Sequence, residues 1–182
     1  MERPIPVLGL AGYSGSGKTT FLEKLIVELK RRGYRVGVIK HTHHPVQFDQ
    51  PGKDTWRHAR AGAEVVALAA PGGVALIRKF DSDPDPEEVI SLVGRVDLII
   101  IEGYKKGGWP KIEVFRREVA ERPAIPAEEL LAVVSDVSPG VGEVPYFGLD
   151  DATGMADLIE RVFLKNDPAV GTQQLVPAVG TC

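Results

Sequence analysis

The 182-residue chain contains a single cysteine, Cys182, which is its last residue. One thiol cannot form a disulfide framework within the chain, and it cannot supply the several thiolate ligands of a cysteine-based metal site. The sequence also contains no apolar run long enough to span a bilayer and no apolar core ahead of its first glycine-rich loop. We therefore expect a protein of the cytoplasm, a reducing compartment, with no membrane partner.

An excess of positive charge is also missing. The formal net charge is −3, from 22 lysines and arginines against 25 aspartates and glutamates. Nucleic-acid-binding domains usually carry a basic surface, so this balance argues against nucleic acid as a partner. With 43% hydrophobic and 26% charged residues, the composition suits one α/β domain with a sizeable core.

The clearest motif is a glycine-rich loop, GYSGSGKT at residues 12–19, which fits the phosphate-binding pattern G-x-x-x-x-G-K-[ST]. The apolar run 5–10 predicts a strand before it, and helical periodicity over 18–32 predicts a helix after it. The N–H groups at the start of that helix, and its dipole, favour an anion. We expect Lys18 to reach the β- and γ-phosphates and Thr19 to hold Mg²⁺. The predicted phosphate-binding residues are Gly12, Tyr13, Ser14, Gly15, Ser16, Gly17, Lys18 and Thr19.

Apolar strand-like runs alternate with helical segments along the chain. This alternation predicts a P-loop NTPase fold, an α/β architecture with a mostly parallel sheet flanked by helices. Pro71-Gly72-Gly73 separates two β-rich runs by a turn alone, which predicts an antiparallel hairpin at one side of the sheet. We predict strands at 5–10, 35–40, 64–70, 74–79, 96–101, 111–116, 130–135 and 144–148, and helices at 18–32, 54–62, 86–94 and 152–164. One nucleotide-binding domain is expected over 1–165, with a flexible tail over 166–182.

A magnesium site also needs an acidic group from another strand, and DLIIIEGYK supplies a candidate. The four apolar residues before Glu102 predict a central strand, so Glu102 emerges at its C-terminal end, where open α/β sheets bind ligands. Gly103 then allows a backbone N–H to approach the γ-phosphate. The alternative is an ordinary exposed carboxylate at a strand end. Asp97 lies at the opposite end of the strand, and we expect it to be structural.

The densest polar cluster, KHTHHPVQFDQPGKDTWRHARAGAE, follows the second predicted strand. His41, His43 and His44 invite a zinc interpretation, but strand alternation turns His44 away and no cysteine completes a tetrahedral set. We favour hydrogen bonding to phosphate or neighbouring loops, and leave a metal in this cluster as an open alternative. Asp49 and Asp54 are better candidates for binding magnesium or positioning water, although Asp54 could instead cap the following helix.

Several of these stretches together resemble the molybdopterin-guanine dinucleotide biosynthesis protein B family: GYSGSGKTT, KHTHH, D-x-P-G-K-D-T at 49–55, RAGA at 60–63, and DLIIIEGYK. The resemblance covers roughly residues 5–164, in the family's order and spacing. It implies a small dimeric GTP-binding protein that assists the guanylyltransferase joining GMP to molybdopterin, a step of molybdenum cofactor biosynthesis. It also extends the nucleotide-binding loop to Thr20 and gives roles to the 41–55 cluster and to Glu102 and Gly103. Direct binding of molybdopterin is left open.

Guanine selectivity needs a separate argument, because a phosphate loop does not contact the base. A carboxylate at the end of a late strand can accept hydrogen bonds from N1–H and N2–H₂ of guanine, which adenine lacks in that geometry. The run LLAVVSD ends with such a residue, Asp136. The usual Asn-Lys-x-Asp sequence is absent, so the predicted preference for GTP rests partly on the family resemblance.

Turnover is expected to be slow. Loss of an arginine finger lowers the rate of phosphoryl transfer by about 10³–10⁵-fold, and Lys18 is the only cation inside the loop. Asp49 or Asp54 would orient water, and a second subunit or the guanylyltransferase would supply the missing charge. Lys40, Lys53 and Arg57, at or within the 41–58 stretch, are further cations that could approach the phosphates. Two alternatives are a small-molecule kinase or ATP-dependent ligase on a related scaffold, and a non-enzymatic nucleotide-gated scaffold.

Overall fold

A computed structural model describes residues 4–104 and 107–165 of the chain. The described residues form two compact units, one running up to His41 and resuming at Pro86, the other comprising Thr42–Asp85. The tail predicted over 166–182 lies outside the described residues. Among the helices of the described part, none combines the length and apolar character needed to cross a membrane.

The secondary structure follows the predicted alternation. The strands are β1 (Val7–Ala11), β2 (Val36–Lys40), β3 (Val65–Ala70), β4 (Gly73–Arg78), β5 (Leu98–Glu102), β6 (Lys111–Phe115), β7 (Leu130–Ser135) and β8 (Tyr146–Phe147). The helices are α1 (Lys18–Arg31), α2 (Asp54–Arg60), α3 (Pro86–Leu92) and α4 (Ala152–Ile159), with a 3₁₀ turn at Ala127–Glu129. A π-helical turn, Glu160–Leu164, continues α4. The predicted elements are thus confirmed, with ends that differ by a few residues.

The first unit is built on a six-stranded sheet in the order β2-β5-β1-β6-β7-β8, in which every neighbouring pair is parallel. The strand that precedes the glycine-rich loop, β1, therefore lies between β5 and β6. Because parallel strands end at the same edge, the loop, Glu102 and the residues after β6 and β7 share one edge of the sheet. The predicted α/β fold with a mostly parallel sheet is confirmed.

Both faces of this sheet are covered by apolar contacts. On one face, inward residues of β1, β5, β6 and β7 pack with α1 and α4, and α1 contributes Phe21, Leu22, Leu25 and Leu29. On the other face, Ile99 and Ile101 of β5 pack with partly buried residues of the α3 region. The helical period of α1 predicted its buried side, because residues three and four apart share a face. This packing fixes the start of α1 at the sheet edge.

The second unit contains α2 and the predicted hairpin. Strands β3 and β4 pair antiparallel from Val65 opposite Arg78 to Ala70 opposite Gly73, and Gly72 adopts φ +94° in the turn. The hairpin is confirmed, and its strands form a two-stranded sheet of their own instead of joining the six-stranded sheet. Most of its side chains are exposed.

The C-terminal end of α1 is held by an ion-pair cluster. Glu28 accepts hydrogen bonds from Arg31 and Arg32, each at 2.7 Å to Oε1, and Arg32 also contacts Asp157 at 2.6 Å and Glu160 at 3.1 Å. The hydrogen bonds from Arg31 and then Arg32 lower the pKa of Glu28 to about 2. The cluster joins α1 to α4 and its π-helical extension.

We expect the Glu28 carboxylate to stabilise the fold in a pH-dependent way. Its folded-state pKa of about 2 lies below the ordinary 4.5, so its contribution is present above pH 4.5 and is lost as pH falls from 4.5 through about 2. Urea unfolding of Glu28→Gln should show a loss of stability at pH 7 that shrinks steadily as pH falls from 4.5 through about 2. Glu23→Gln, at an exposed carboxylate of the same helix, is the control. A loss for Glu28→Gln that is constant from pH 7 to 2 would contradict the assignment.

Candidate functional site

The glycine-rich loop leaves β1 and turns directly into α1. Gly12, Gly15 and Gly17 adopt φ values of +133°, +80° and +93°, in the region that side chains disfavour. A Cβ on Gly12 would lie 2.3 Å from the carbonyl oxygen of Val114 on β6, so only glycine fits where the loop begins. Gly17 is the N-cap of α1, and the first turn of that helix, which lies within the described residues, has no acidic residue. The loop therefore directs helix N–H groups outward without a competing carboxylate.

The side chains of the loop are arranged to meet negative charge. Lys18 Nζ donates to the carbonyl oxygens of Gly12 at 3.0 Å and Tyr13 at 2.8 Å, which holds the ammonium across the loop. Ser16 is 1% exposed, and its Oγ makes no hydrogen bond within the described part of the chain. Backbone N–H groups, a cation and an orphaned buried hydroxyl form a donor set that suits a polyphosphate.

Glu102 ends β5 beside the loop. It is 9% exposed, so the alternative of an ordinary exposed carboxylate is wrong, and its Oε2 lies 3.5 Å from Lys40 Nζ at the end of β2. Its carbonyl accepts a hydrogen bond of 2.8 Å from the N–H of His41. Asp97, at the other end of the strand, pairs with Arg35 at 2.7 Å, and this hydrogen bond lowers the pKa of Asp97. The two carboxylates thus differ as predicted, with Asp97 in a structural pair.

Gly103 brings two strand ends into close contact. Its φ is +104°, and a Cβ at this position would lie 2.3 Å from the carbonyl oxygen of His41. The His41 ring stacks on Tyr104 with centroids 3.9 Å apart, and Trp109 meets Tyr104 edge-on at 6.5 Å. The His41 ring is thus packed against an aromatic neighbour at the ends of β2 and β5.

A cavity of about 640 Å³ connects these features within the first unit. Its lining includes the loop from Gly12 to Ser14, Lys18, His41, Glu102 and Lys111. Lys18 and Glu102 thus border the same space from different elements. The hydroxyl of Thr19 and the carboxylate of Glu102 are hard oxygen donors of the type that Mg²⁺ prefers.

Two charged residues of β6 were not singled out from the sequence. Lys111 is 3% exposed and its Nζ lies 2.5 Å from Glu129 Oε2. Glu113 is fully buried, accepts N–H bonds from Ala124 and Ile125, and has a pKa raised by burial. The available signal was the alternation in KIEVF, which places Lys111 and Glu113 on one face and Ile112 and Val114 on the other. Charged residues on one face of a strand in the middle of the sheet indicate that this part of the interior is polar.

Thr19 and Thr20, exposed in the first turn of α1, are not among the residues that line this cavity, and neither are Asp136, Asp49 and Asp54. Asp136 follows β7 at the same sheet edge, is exposed, and accepts an N–H bond from Arg117 at 3.3 Å. Asp49 and Asp54 belong to the second unit. Asp49 accepts from the N–H of Gln50 at 2.7 Å. Asp54 is in the first turn of α2 and 3.7 Å from Arg57, while Lys53 is the N-cap, so the capping alternative for Asp54 is wrong.

His43 and His44, the other two histidines considered for a zinc site, are exposed residues of the second unit. His43 Nδ1 lies 3.6 Å from Asp83 Oδ2, and the N–H of His44 donates to Thr42 Oγ1 at 3.2 Å. The hydrogen bond of His44 to its neighbour is local.

Comparison with known proteins agrees with the motifs and the fold. The family model described as "Molybdopterin guanine dinucleotide synthesis protein B" matches residues 7–136. The chain belongs to this family. The resemblance stated from the motifs is thereby confirmed, and the matched range contains the glycine-rich loop, Glu102, Gly103 and Asp136.

Relatives of similar length support the assignment. Proteins named "Molybdopterin-guanine dinucleotide biosynthesis adapter protein" from Haemophilus influenzae and Escherichia coli are each 38% identical, over 88% and 85% of this chain and 91% of their own lengths. The crystal structure of Bacillus subtilis MobB superposes with a TM-score of 0.68 at 27% identity, over 90% of this chain and 100% of that one. The family's fold therefore extends over nearly the whole of both chains.

We expect Gly103→Ala to destabilise the protein more than Gly33→Ala. Both glycines have similar φ values, +104° and +94°, but only at Gly103 would the added Cβ meet the His41 carbonyl, at 2.3 Å. Backbone strain alone costs about 1–2 kcal/mol, so this is the expected loss for Gly33→Ala, and Gly103→Ala should lose more. Chemical unfolding measures both. Equal losses would show that the contact between the strand ends relaxes freely.

Proposed function

We propose that the protein is a GTP-binding adapter in molybdopterin guanine dinucleotide biosynthesis. The observation that carries this proposal is the loop of positive-φ glycines at the start of α1, with Lys18 across it, in a chain of this family. The adapter role is supported by the names of relatives that match over 85–88% of the chain. Nucleotide binding is supported by the phosphate-loop geometry.

In this proposal the phosphates bind the loop N–H groups, and Lys18 contacts the β- and γ-phosphates. Thr19 and Glu102, whose oxygens suit a hard cation, would hold Mg²⁺, which would supply neutralisation of phosphate charge. Lys40, 3.5 Å from Glu102, keeps the carboxylate at the sheet edge and balances its charge. Gly103 directly follows Glu102, and its N–H would donate to a γ-phosphate oxygen.

Hydrolysis is proposed to be slow and dependent on a partner. Asp49 and Asp54, both in the second unit, remain the proposed water-positioning residues, and Asp49 is also a proposed magnesium ligand. The cation needed for fast phosphoryl transfer would come from a second subunit or from the guanylyltransferase. We propose that the nucleotide regulates assembly of the protein with its partner and is not rapidly hydrolysed.

A homodimer is supported by the hairpin of the second unit. Four large apolar side chains of β3 and β4 are about half or more exposed: Val65 48%, Leu68 57%, Val74 69% and Leu76 51%. Val65, Val74 and Leu76 share one face of the hairpin, whereas Leu68 lies on the other face. A two-stranded sheet is marginally stable in water, and an exposed apolar face marks an interaction surface. We propose that a second copy of the chain covers this hairpin.

The direct test is nucleotide binding by Lys18→Ala. The variant should fold normally but lose detectable GTP binding, because Lys18 supplies charge to the phosphates and is not a core residue. Titration calorimetry with GTP and with ATP, with and without Mg²⁺, measures the effect and the base preference. Lys30→Ala, which removes an exposed lysine from the last turn of α1, is the charge-matched control. A folded Lys18→Ala variant with wild-type GTP affinity would refute the assignment, and a preference for ATP would favour the kinase or ligase alternative.

A second prediction concerns the base. If Asp136 accepts hydrogen bonds from guanine, Asp136→Asn places a donor against a donor and should weaken GTP binding by about 1–3 kcal/mol. The same variant should gain affinity for XTP, whose C2 carbonyl accepts from the new amide. Competition between GTP and XTP measures this change in preference. An unchanged ratio would place recognition of the base elsewhere.

A further inference from the structure

An arginine outside the motif lies beside the phosphate loop. Arg116 follows β6, the strand next to β1, and a Cβ built on Gly17 would lie 3.6 Å from its Nη2 and 3.7 Å from its Nε. Its Nε is buried and makes no hydrogen bond within the described part of the chain. Its Nη1 pairs at 3.1 Å with Glu118, whose side chain is 68% exposed. The guanidinium thus directs Nη2 and Nε toward the N-cap of α1.

This position is electrostatically unfavourable in the absence of an anion. The N-terminus of a helix carries partial positive charge, which repels a cation and attracts a phosphate. Lys18 already places one ammonium there, and no acidic residue lies in the first turn. Asp150 offsets part of the charge, because its pKa is lowered mainly by its hydrogen bond with Lys24 and to a smaller extent by Arg116. Two cations at a helix N-terminus favour a ligand of more than one negative charge.

The strand order decides which part of that ligand Arg116 meets. Glu102 ends β5 on one side of β1, whereas Arg116 follows β6 on the other side. Asp136 follows β7, one strand further in the same direction, and accepts from the N–H of Arg117. If Glu102 marks the metal and γ-phosphate side and Asp136 the base side, Arg116 lies between them.

We propose that Arg116 binds the α- and β-phosphates of the nucleotide in cis. This inference rests on the proposed GTP binding. It goes beyond that proposal because the residue that binds the diphosphate lies outside the phosphate-binding motif. The planar guanidinium presents Nε–H and Nη2–H side by side, a fork that matches two phosphate oxygens. An arginine finger would act on the γ-phosphate in the transition state, whereas Arg116 acts on a part shared by GDP and GTP.

The test compares GDP and GTP affinities of Arg116→Gln by titration calorimetry with Mg²⁺. Because the variant loses hydrogen bonds to a charged ligand, both affinities should fall by a similar factor, about 10- to 100-fold. The kcat at saturating GTP should stay near the wild-type value. Arg116→Lys keeps the charge without the fork and should lose less. Because the side chain is 35% exposed, we expect both variants to fold, which circular dichroism checks, and Arg116→Lys provides the readout if the glutamine variant does not.

Arg161→Gln is the matched control. Arg161 is exposed in the π-helical turn after α4. Phe163 and Leu164 of the same turn line a cavity together with Gly33, which follows the C-terminal end of α1. A 14-residue helix is roughly 20 Å long, so this charge is remote from the loop. Unchanged GDP and GTP affinities in Arg116→Gln, or a loss confined to GTP or to kcat, would overturn the assignment while leaving the proposed function intact. Failure of the wild-type protein to bind either nucleotide would instead overturn both.

Discussion

The contact between the Gly12 main chain and the Val114 carbonyl determines where the loop can form. With an added Cβ only 2.3 Å from that oxygen, any side chain at position 12 would push β1 and β6 apart or move the loop off the sheet. The same restriction recurs one strand away, where a Cβ added to Gly103 would lie 2.3 Å from the His41 carbonyl oxygen. Two glycines thus allow the ends of four neighbouring strands, β2, β5, β1 and β6, to converge around one cavity.

Charge at this convergence is divided between the two sides of β1. On the β5 side, Glu102 faces Lys40, so an acidic group suited to a cation is held with a counter-charge nearby. On the β6 side, Arg116 lies at the start of α1, with Lys18 across the loop itself. A polyphosphate with its metal at one end has the complementary distribution, negative along its length and positively charged where the metal binds.

Sequence patterns predicted most of this arrangement because its parts are local. The glycine-rich motif, the helical period of α1 and the apolar run before Glu102 each depend on consecutive residues. Arg116 was missed because its contact with Gly17 depends on β6 lying next to β1, and strand order is not encoded in any local pattern. The rule that selected Glu102, a polar residue directly after a buried strand, applies equally to Arg116 after Phe115. The hairpin was likewise predicted from its local turn residues. That it does not pair with the six-stranded sheet could not be predicted, because pairing between sheets depends on long-range contacts.

The division into two units separates residues by role. All the proposed phosphate and base contacts, together with Glu102, belong to the first unit, whose core is shared by α1, α4 and the sheet. The proposed water-positioning residues, Asp49 and Asp54, share the second unit with the exposed apolar hairpin. The buried contacts of the loop are contributed by the first unit, so we expect binding and turnover to respond to different sets of mutations. Binding of a second copy to the hairpin would stabilise the unit that carries both aspartates, which gives a physical route for assembly to regulate hydrolysis.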